Sequence, residues 1–383
     1  YEIGMSNLGM SILYHTMNSL DFVWCERVFA PWGDMYQEMK KAGIGQLMVN
    51  DHLGIYYLTG IDVMPFERFW AFLINDDGST VLFDNKLFAL GDTGLNTVTL
   101  TDTDDVAAAV AKHIKPGKMG VDKNMAARFL LPIMNACRDT NMVLGSDCVD
   151  NVRARKDEEE KRLMRRASEI NDICMERLAA YIHDGVTEKE CADYLDRCYA
   201  EFGCEGLAFD SIVSFGANAA DPHHSPDGTV VKEGDCIVID IGCRKDHYCS
   251  DMTRTYFWKK ADPKYTAIHD LVREANEKAE KLIRPGVRFC DIDAEARNHI
   301  SAAGYGEYFT HRLGHFIGME DHEKGDVSSV NTNTVQPDMI FSIEPGVYLP
   351  GEFGARVEDL VIATEDGCEL LNHVDKHVKI LGI

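Results

Sequence analysis

The chain of 383 residues has few basic residues, no long apolar run and no closely spaced cysteine pair. It contains 39 lysines and arginines and 63 aspartates and glutamates, which gives a formal net charge of −24. A surface of that sign repels phosphate backbones and anionic lipid headgroups, so neither nucleic acid nor a membrane is an expected partner. No stretch approaches the roughly 18 consecutive apolar residues of a membrane-spanning helix. An excess of carboxylates instead suits the binding of hard or borderline cations.

The twelve cysteines are scattered from Cys25 to Cys368 and include no Cys-x-x-Cys pair. A chain of this length, which favours two or three domains of roughly 150 residues, buries a sizeable core without disulfide bonds. We therefore expect buried, reduced thiols and a cytoplasmic protein.

The first 150 residues alternate strand-like and helix-like segments. Short apolar runs at 46–49 and 70–74 predict strands, and Asp76-Asp77-Gly78 predicts a hairpin turn after the second. Residues 104–113 predict a helix between later strands. This alternation predicts an α/β domain over residues 1–150, and we find no Gly-rich phosphate loop in it.

A second domain, placed at residues 151–383, is indicated by dense charge at 151–166. Apolar residues then recur at steps of three and four over 163–181, which predicts one long helix. The pattern Thr187-x-x-Glu190 is a capping box and predicts the start of another helix.

Two aspartates occur in apolar strand patterns of this second domain. Asp240 lies inside residues 237–241, and Asp251 lies in the next predicted strand. A turn at Lys245-Asp246 predicts that the two residues oppose each other across a hairpin, with Cβ atoms about 5 Å apart. An ionised carboxylate in such a strand needs a partner. A metal ion resolves the repulsion, and Arg254 or a proton shared between the acids is the alternative.

Two glutamates repeat this pattern downstream. Glu344 and Glu358 each lie in an apolar strand pattern, and the turn between them allows both to share one face of a second hairpin. His315 lies between the two pairs, and four acids with one imidazole favour manganese, cobalt, iron or zinc over calcium. The spacing of His311 and His315 also matches a helical zinc-protease motif, but Arg312 occupies the position where that motif requires glutamate.

At these residues the chain resembles the pita-bread metallopeptidases, the superfamily of methionine aminopeptidase, aminopeptidase P, prolidase and creatinase. The motifs that carry the resemblance are Ile239-Asp240-Ile241-Gly242, Ser250-Asp251-Met252-Thr253-Arg254-Thr255, Gly314-His315, His322-Glu323, Ile343-Glu344-Pro345-Gly346 and Arg356-Val357-Glu358-Asp359. The match covers roughly Arg153 to the end of the chain. The preceding residues are similar to the N-terminal domain of the creatinase and prolidase branch, which methionine aminopeptidases lack. The implied architecture is that α/β domain followed by a pita-bread catalytic domain.

The resemblance implies two divalent metal ions per chain, with manganese as the first choice and cobalt, zinc or iron as alternatives. By motif, Asp240 and Asp251 would bind the first ion, with Asp251 bridging to the second. His315 and Glu344 would hold the second ion, and Glu358 would bridge both.

The resemblance also implies the catalytic residues. His223, His311 and His322 match active-site histidines that do not bind metal, Glu344 would take a proton from the nucleophilic water, and Arg356 would orient the bridging carboxylates. The implied reaction is hydrolysis, by a water molecule activated between two metal ions, of the peptide bond between an N-terminal residue and proline. The implied substrate is a small peptide with proline in the second position, and the implied assembly is a homodimer.

The chain departs from the family pattern at two places. Phe316 follows the metal-binding histidine position where the family usually has glycine, and Lys324-Gly325-Asp326 replaces the proline and arginine of several dipeptidases. The second departure removes the cation expected to recognise a free substrate carboxylate. The alternatives are a creatinase-like or other metal-assisted hydrolase or lyase on the same fold, and a non-catalytic pseudo-peptidase that binds other proteins. The presence of all five ligand positions argues against both.

Overall fold

The computed structural model describes residues 32–383 and contains two compact units, of which the first ends at Val152 and the second spans Arg153–Ile383. Cys25 lies outside the described residues, and the eleven cysteines within them are free thiols. None of the helices in the described range is long and apolar enough to cross a membrane.

The first unit is built on a six-stranded mixed sheet with strand order β4-β3-β2-β1-β5-β6. Its strands are β1 (Gln46–Val49), β2 (Ala71–Asn75), β3 (Thr80–Asn85), β4 (Thr97–Leu100), β5 (Gly117–Val121) and β6 (Thr140–Leu144). Its helices are α1 (Trp32–Ala42), α2 (His52–Thr59), α3 (Val106–Ala111), α4 (Ala127–Ala136) and α5 (Asp147–Arg153). The predicted α/β class is confirmed, and β2 and β3 form the predicted hairpin.

One hydrophobic core of this unit packs helices α3 and α4 against the sheet. Met48, Leu73 and Phe83 from three adjacent strands are fully buried and pack with Val110 of α3 and Ile133 of α4. Helix α3 begins later than predicted because the Asp105 side chain caps it by accepting a hydrogen bond from the Ala108 amide.

The second unit contains four helices and fourteen strands among the described residues. The helices are α6 (Glu158–Tyr181), α7 (Glu188–Glu201), α8 (Pro263–Leu282) and α9 (Phe289–Ala302). The strands are β7 (Gly206–Leu207), β8 (Ile212–Phe215), β9 (Cys236–Ile241), β10 (Cys243–Lys245), β11 (Tyr248–Cys249), β12 (Met252–Trp258), β13 (Gly314–Phe316), β14 (Glu323–Val327), β15 (Ile340–Ile343), β16 (Gly346–Leu349), β17 (Phe353–Arg356), β18 (Asp359–Ala363), β19 (Cys368–Leu370) and β20 (Ile380–Leu381). The predicted capping box at Thr187 and Glu190 is confirmed at the start of α7.

Two sheets of this unit carry the candidate site. One has the order β20-β12-β9-β8 and shares a core with α6 and α7, and the other has the order β14-β13-β15-β18-β19 and shares a core with α8 and α9. In β9, Ile237, Ile239 and Ile241 belong to the core that contains α6 and α7, whereas Val238 belongs to the other core. Because side chains alternate along a strand, Asp240 lies on the face of Val238, away from the first pair of helices.

The register of the first hairpin differs from the prediction. Asp240 pairs with Thr253 of β12, not with Asp251. The turn is centred on Asp246 and His247, one residue later than predicted, and both have positive φ angles of 50° and 68°. Two successive residues with positive φ are typical of a type I′ turn, whose twist matches the flanking strands. The residue opposite Asp240 is therefore Thr253, two positions after Asp251. Because side chains alternate along a strand, Asp251 still points to the same face as Asp240.

The second hairpin has the predicted arrangement. Ile343 pairs with Asp359 at the end of one ladder, and Gly346 pairs with Arg356 at the start of the next. The same pairing continues from one ladder to the next without a shift. Glu344 therefore stands opposite Glu358 in the gap between the two ladders. Opposed residues of antiparallel strands share a face, and the two carboxylates therefore point to the same side.

Candidate metal centre

Buried acidic side chains surround one imidazole at the meeting point of the two sheets. Asp251, His315 and Glu358 are buried, and each offers a ligand atom within 4.8 Å of the other two. His315 Nε2 lies 3.4 Å from Asp251 Oδ2 and 3.7 Å from Glu344 Oε1. Four of the five predicted metal ligands are therefore near neighbours.

Arg356 connects the fifth predicted ligand to this group. Its Nη2 donates to Asp240 Oδ2 at 2.6 Å, and its Nε donates to the hydroxyl of Thr253 at 3.0 Å. The Thr253 hydroxyl in turn donates to Glu358 Oε2 at 2.7 Å. Arg254, the alternative partner considered for the aspartate pair, instead donates to Asp359. Arg356 thus contacts Asp240 directly and Glu358 through Thr253, whereas Arg254 is not the cation between Asp240 and Asp251.

The carboxylates of this cluster lack enough protein partners. Asp240 Oδ1, Asp251 Oδ1 and Glu358 Oε1 are buried and accept no hydrogen bond. Burial, and then the charge of the neighbouring acids, raises the pKa of Asp251 and of Glu358 well above the usual range. Burial raises the pKa of Glu344 to about 8. Unpartnered buried carboxylate oxygens around a histidine fit a site for divalent metal ions, because such cations supply the missing positive charge.

His315 is oriented as a neutral metal ligand. Its Nδ1 lies 3.2 Å from the Phe316 carbonyl oxygen, an acceptor, so Nδ1 carries the proton and Nε2 directs its lone pair towards the carboxylates. Burial lowers the pKa of His315 to about 3, which keeps the ring neutral. A neutral imidazole with one ring N–H held by a backbone carbonyl is the usual form of a metal-binding histidine.

The three other predicted histidines lie around the cluster with different degrees of exposure. His311 donates from Nδ1 to the Arg312 carbonyl at 2.7 Å, and its Nε2 lies 2.9 Å from the Tyr348 hydroxyl. The His322 side chain is 59% exposed, and its ring packs edge-on against His315 with centroids 4.0 Å apart. His223 is exposed on its loop, yet its charge contributes, after burial and nearby arginines, to the lowered pKa of both His311 and His322.

Three residues of this site were missed from the sequence. Tyr348 accepts a hydrogen bond from Arg356 Nη1 at 2.8 Å and bonds His311, and Thr253 joins Arg356 to Glu358. Asp321 lies 3.4 Å from His322 Nε2 and has one buried oxygen without a hydrogen bond. A tyrosine or threonine in a strand pattern carries no signal of this kind, whereas an acid directly before His322 does and was overlooked.

The two departures from the family pattern form one packing unit. Phe316 is buried and stacks on Phe341, with its edge against Phe289. Gly325 has a φ of +126°, and a Cβ there would lie 2.7 Å from the Phe316 ring. The large side chain beside His315 therefore points into the core and occupies the space left by Gly325.

A second group of possible ligands is satisfied by the protein itself. Glu188 is buried, and its carboxylate accepts hydrogen bonds from the Phe215 amide, the Asn218 side chain and the Asp227 amide. His224 Nε2 lies 2.8 Å from Glu188 Oε2, the oxygen that also accepts from the Asp227 amide. This group needs no metal ion to compensate its charge.

Comparison with protein families agrees with the geometry. The model of metallopeptidase family M24 matches residues 162–365, which is more than half of the chain. The chain belongs to metallopeptidase family M24. The model of the creatinase/prolidase N-terminal domain matches residues 34–155 of this M24 protein. The resemblance inferred from the motifs is confirmed, and so is the two-part architecture of a creatinase-like domain followed by an M24 domain.

Individual relatives place the M24 protein among peptidases. It is 37% identical over 333 residues to an uncharacterized peptidase of Staphylococcus aureus, covering 85% of this chain and 93% of that protein. It is similar to the prolidase of Thermococcus sibiricus, with a TM-score of 0.87 and 29% identity, covering 94% of this chain and all of that one (100%). It is also similar to the Xaa-Pro dipeptidase of Bacillus anthracis, with a TM-score of 0.83 and 27% identity, covering 91% and 98% of the two chains.

Proposed function

We propose that this M24 protein is an Xaa-Pro peptidase that uses two metal ions to hydrolyse the bond between an N-terminal residue and proline. The observation that carries the proposal is the buried cluster in which three carboxylate oxygens lack hydrogen bonds around a neutral His315. The likeness to a prolidase and to an Xaa-Pro dipeptidase supports the substrate class.

The ions would be held by Asp240, Asp251, His315, Glu344 and Glu358, and we propose manganese as the first choice, with cobalt, zinc or iron as alternatives. Bound divalent ions supply Lewis-acid chemistry: they lower the pKa of a water molecule and polarise a carbonyl. The four carboxylates offset the four positive charges of two such ions, which would supply the cations that these buried acids lack.

Glu344 is the residue proposed to accept the proton of the attacking water. Its side chain is 16% exposed, compared with 5% for Asp251, so it is better placed to pass a proton to solvent. The hydroxyl of Ser342 donates to Glu344 Oε1 at 3.3 Å and also accepts from the His315 amide, which fixes the carboxylate beside the imidazole. A positioned carboxylate of this kind typically contributes a rate factor of about 10² to 10⁴.

The remaining polar side chains are proposed to bind the substrate and the developing charge. His322 exposes its ring on the open side of His315 and would donate a hydrogen bond to the oxyanion. His223 would contact the scissile amide. His311 is held by Tyr348, which also bonds Arg356, so these three residues form one hydrogen-bonded chain.

Proline in the second position changes what the pocket must offer. The amide nitrogen of an Xaa-Pro bond carries no hydrogen, so no acceptor is required opposite it. Recognition then depends on the ring shape and on the carbonyl oxygens. We further propose that the enzyme acts as a cytoplasmic homodimer on small peptides.

Metal analysis combined with a substrate panel tests the proposed function. Protein reconstituted with manganese is assayed on Ala-Pro, Ala-Pro-Ala and the matched control Ala-Ala-Ala, with creatine as a probe of the creatinase-like alternative. We expect about two ions per chain and turnover of the proline peptides only. Metal binding without turnover of any peptide would indicate the pseudo-peptidase alternative, and turnover of creatine alone would replace the proposal.

A further inference from the structure

A second cluster of buried charged side chains consists of Arg153, Lys156 and Glu323. It contacts the segment 317–323, which contains His322. Glu323 Oε1 accepts from Arg153 Nη2 at 2.7 Å, and Glu323 Oε2 accepts from Lys156 Nζ at 2.8 Å. The three side chains are only 6%, 6% and 1% exposed for Arg153, Glu323 and Lys156. Burying three charges is unfavourable unless they are paired and hydrogen-bonded, as these three side chains are.

The cluster fixes both ends of the turn that leads to His322. Glu323 Oε1 also accepts from the Met319 amide at 3.1 Å, and Arg153 Nη2 reaches Glu320 Oε2 at 3.1 Å. A Cβ at position 318 would lie 2.5 Å from Glu323 Oε1, so Gly318 permits the close approach of the carboxylate to the backbone. The turn is thus wrapped around the Glu323 carboxylate.

His322 has little packing of its own. Its side chain is 59% exposed, rests with a ring edge on His315 and lies 3.4 Å from Asp321. The direction of such an exposed ring depends on the backbone that carries it, and that backbone is anchored one residue later at Glu323. We propose that Arg153 and Lys156 are positioning residues for His322 and act through the carboxylate of Glu323. This inference rests on the proposed function, in which His322 acts on the substrate.

A double-mutant cycle separates positioning from general stabilisation. Lys156→Met removes the charge at similar length, and Glu323→Gln keeps the shape of the side chain. We expect each to lower kcat at least tenfold, with KM within twofold and metal content unchanged. In a His322→Ala background the same changes are expected to alter kcat less than twofold, because their effect passes through the missing ring. The matched control is Arg165→Met, which breaks the half-exposed ion pair of Arg165 with Glu369.

A spectroscopic measurement on zinc-loaded protein tests the same inference without activity. The Cε1–H resonance of His322, assigned by its loss in His322→Ala, is expected to shift in Lys156→Met and Glu323→Gln but not in Arg165→Met. Unchanged kcat and resonance in the folded variants, or equal losses of kcat in both backgrounds, would overturn the proposal. If Lys156→Met does not fold, Glu323→Gln decides. If the wild type cleaves no Xaa-Pro peptide, the proposed function fails, and the resonance alone decides the positioning.

Discussion

Glu358 and Asp359 are adjacent in the sequence, and both are buried. They differ in how far the surrounding protein compensates the negative charge of each carboxylate. Asp359 forms ion pairs with Arg254 at 2.7 Å and with Lys376 at 2.5 Å. Burial raises the pKa of Asp359, but these two cations outweigh burial and lower it. Glu358 has one hydrogen bond from Thr253 and one buried oxygen with none, and its pKa is raised.

The comparison shows how a buried acid that serves the fold differs from one that serves a site. A structural acid is neutralised by cationic side chains of the protein, as Arg254 and Lys376 neutralise Asp359. An acid whose surroundings lack a cation depends on one from outside, and for Glu358 we propose a divalent metal ion. The predictions below test whether that difference between neighbouring residues is real.

Removal of metal gives the largest expected effect. Exhaustive chelation should reduce peptide hydrolysis to background, because it removes the divalent ions proposed to compensate Glu358 and its neighbours and to activate water. Far-UV circular dichroism should change little, because the ion pairs of Asp359 are untouched. Activity should return on adding manganese. Full turnover by protein shown to contain no metal would break the comparison.

Asp359→Ala should destabilise the fold strongly. It removes the carboxylate that pairs with the buried Arg254, and breaking a buried pair in this way typically costs about 3–5 kcal/mol, whereas Lys376 keeps its ion pair with Glu280. Urea unfolding of the metal-free protein measures the loss. The control Glu369→Ala removes a partly exposed partner of Arg165 and should cost less than about 1 kcal/mol. Similar losses for both variants would contradict a special role of Asp359.

His322→Ala should separate catalysis from metal binding. We expect kcat to fall by about 10² or more, because a hydrogen bond to the developing oxyanion is lost. Metal content by atomic emission should remain at the wild-type value, since His322 is proposed not to be a ligand. Loss of metal in this variant would show that the assignment of His322 is wrong.

Asp251→Asn should act in the opposite direction to Asp359→Ala on metal-free protein. A neutral amide removes a charge that burial and the neighbouring acids disfavour, which is why the pKa of Asp251 is raised. The free energy of unfolding at pH 7 should therefore rise, while metal binding is lost. A destabilised apo protein would mean that Asp251 has structural partners after all.

The smallest expected effect concerns substrate length. Asp326 lies on β14 opposite His315 of β13, at a place where several family dipeptidases have arginine. Its carboxylate accepts a hydrogen bond from the Ser328 hydroxyl. An acid at this position cannot bind a free substrate carboxylate as an arginine would. We therefore expect kcat/KM for Ala-Pro-Ala to equal that for Ala-Pro or to exceed it by up to about tenfold. Comparison with amidated Ala-Pro, and repetition in Asp326→Arg, checks this. Strict preference for the free dipeptide would refute it.

The sequence alone predicted the acids of the site better than their pairing. Asp240, Asp251, Glu344 and Glu358 are visible because a carboxylate in an apolar strand is conspicuous. The turn before Glu358 contains Gly351 with positive φ, and its register was readable. The first hairpin turns through Asp246 and His247, two residue types that are enriched at positive φ but do not signal it as strongly as glycine does.

Long-range partners were equally hidden. Arg254 and Arg356 lie in similar strand patterns, and only the fold shows that one neutralises Asp359 and the other Asp240. The role of Tyr348 depends on a contact with His311 across 37 residues of sequence. Such pairings are set by how sheets pack, which local periodicity does not encode.

The packing of Phe316 against Gly325 makes the two positions depend on each other. A Cβ at position 325 would lie 2.7 Å from the phenylalanine ring, so the ring at 316 requires glycine at 325. A loop grafted into this chain from a dipeptidase, with a side chain at the position of Gly325, would therefore also require a smaller residue at position 316, beside His315.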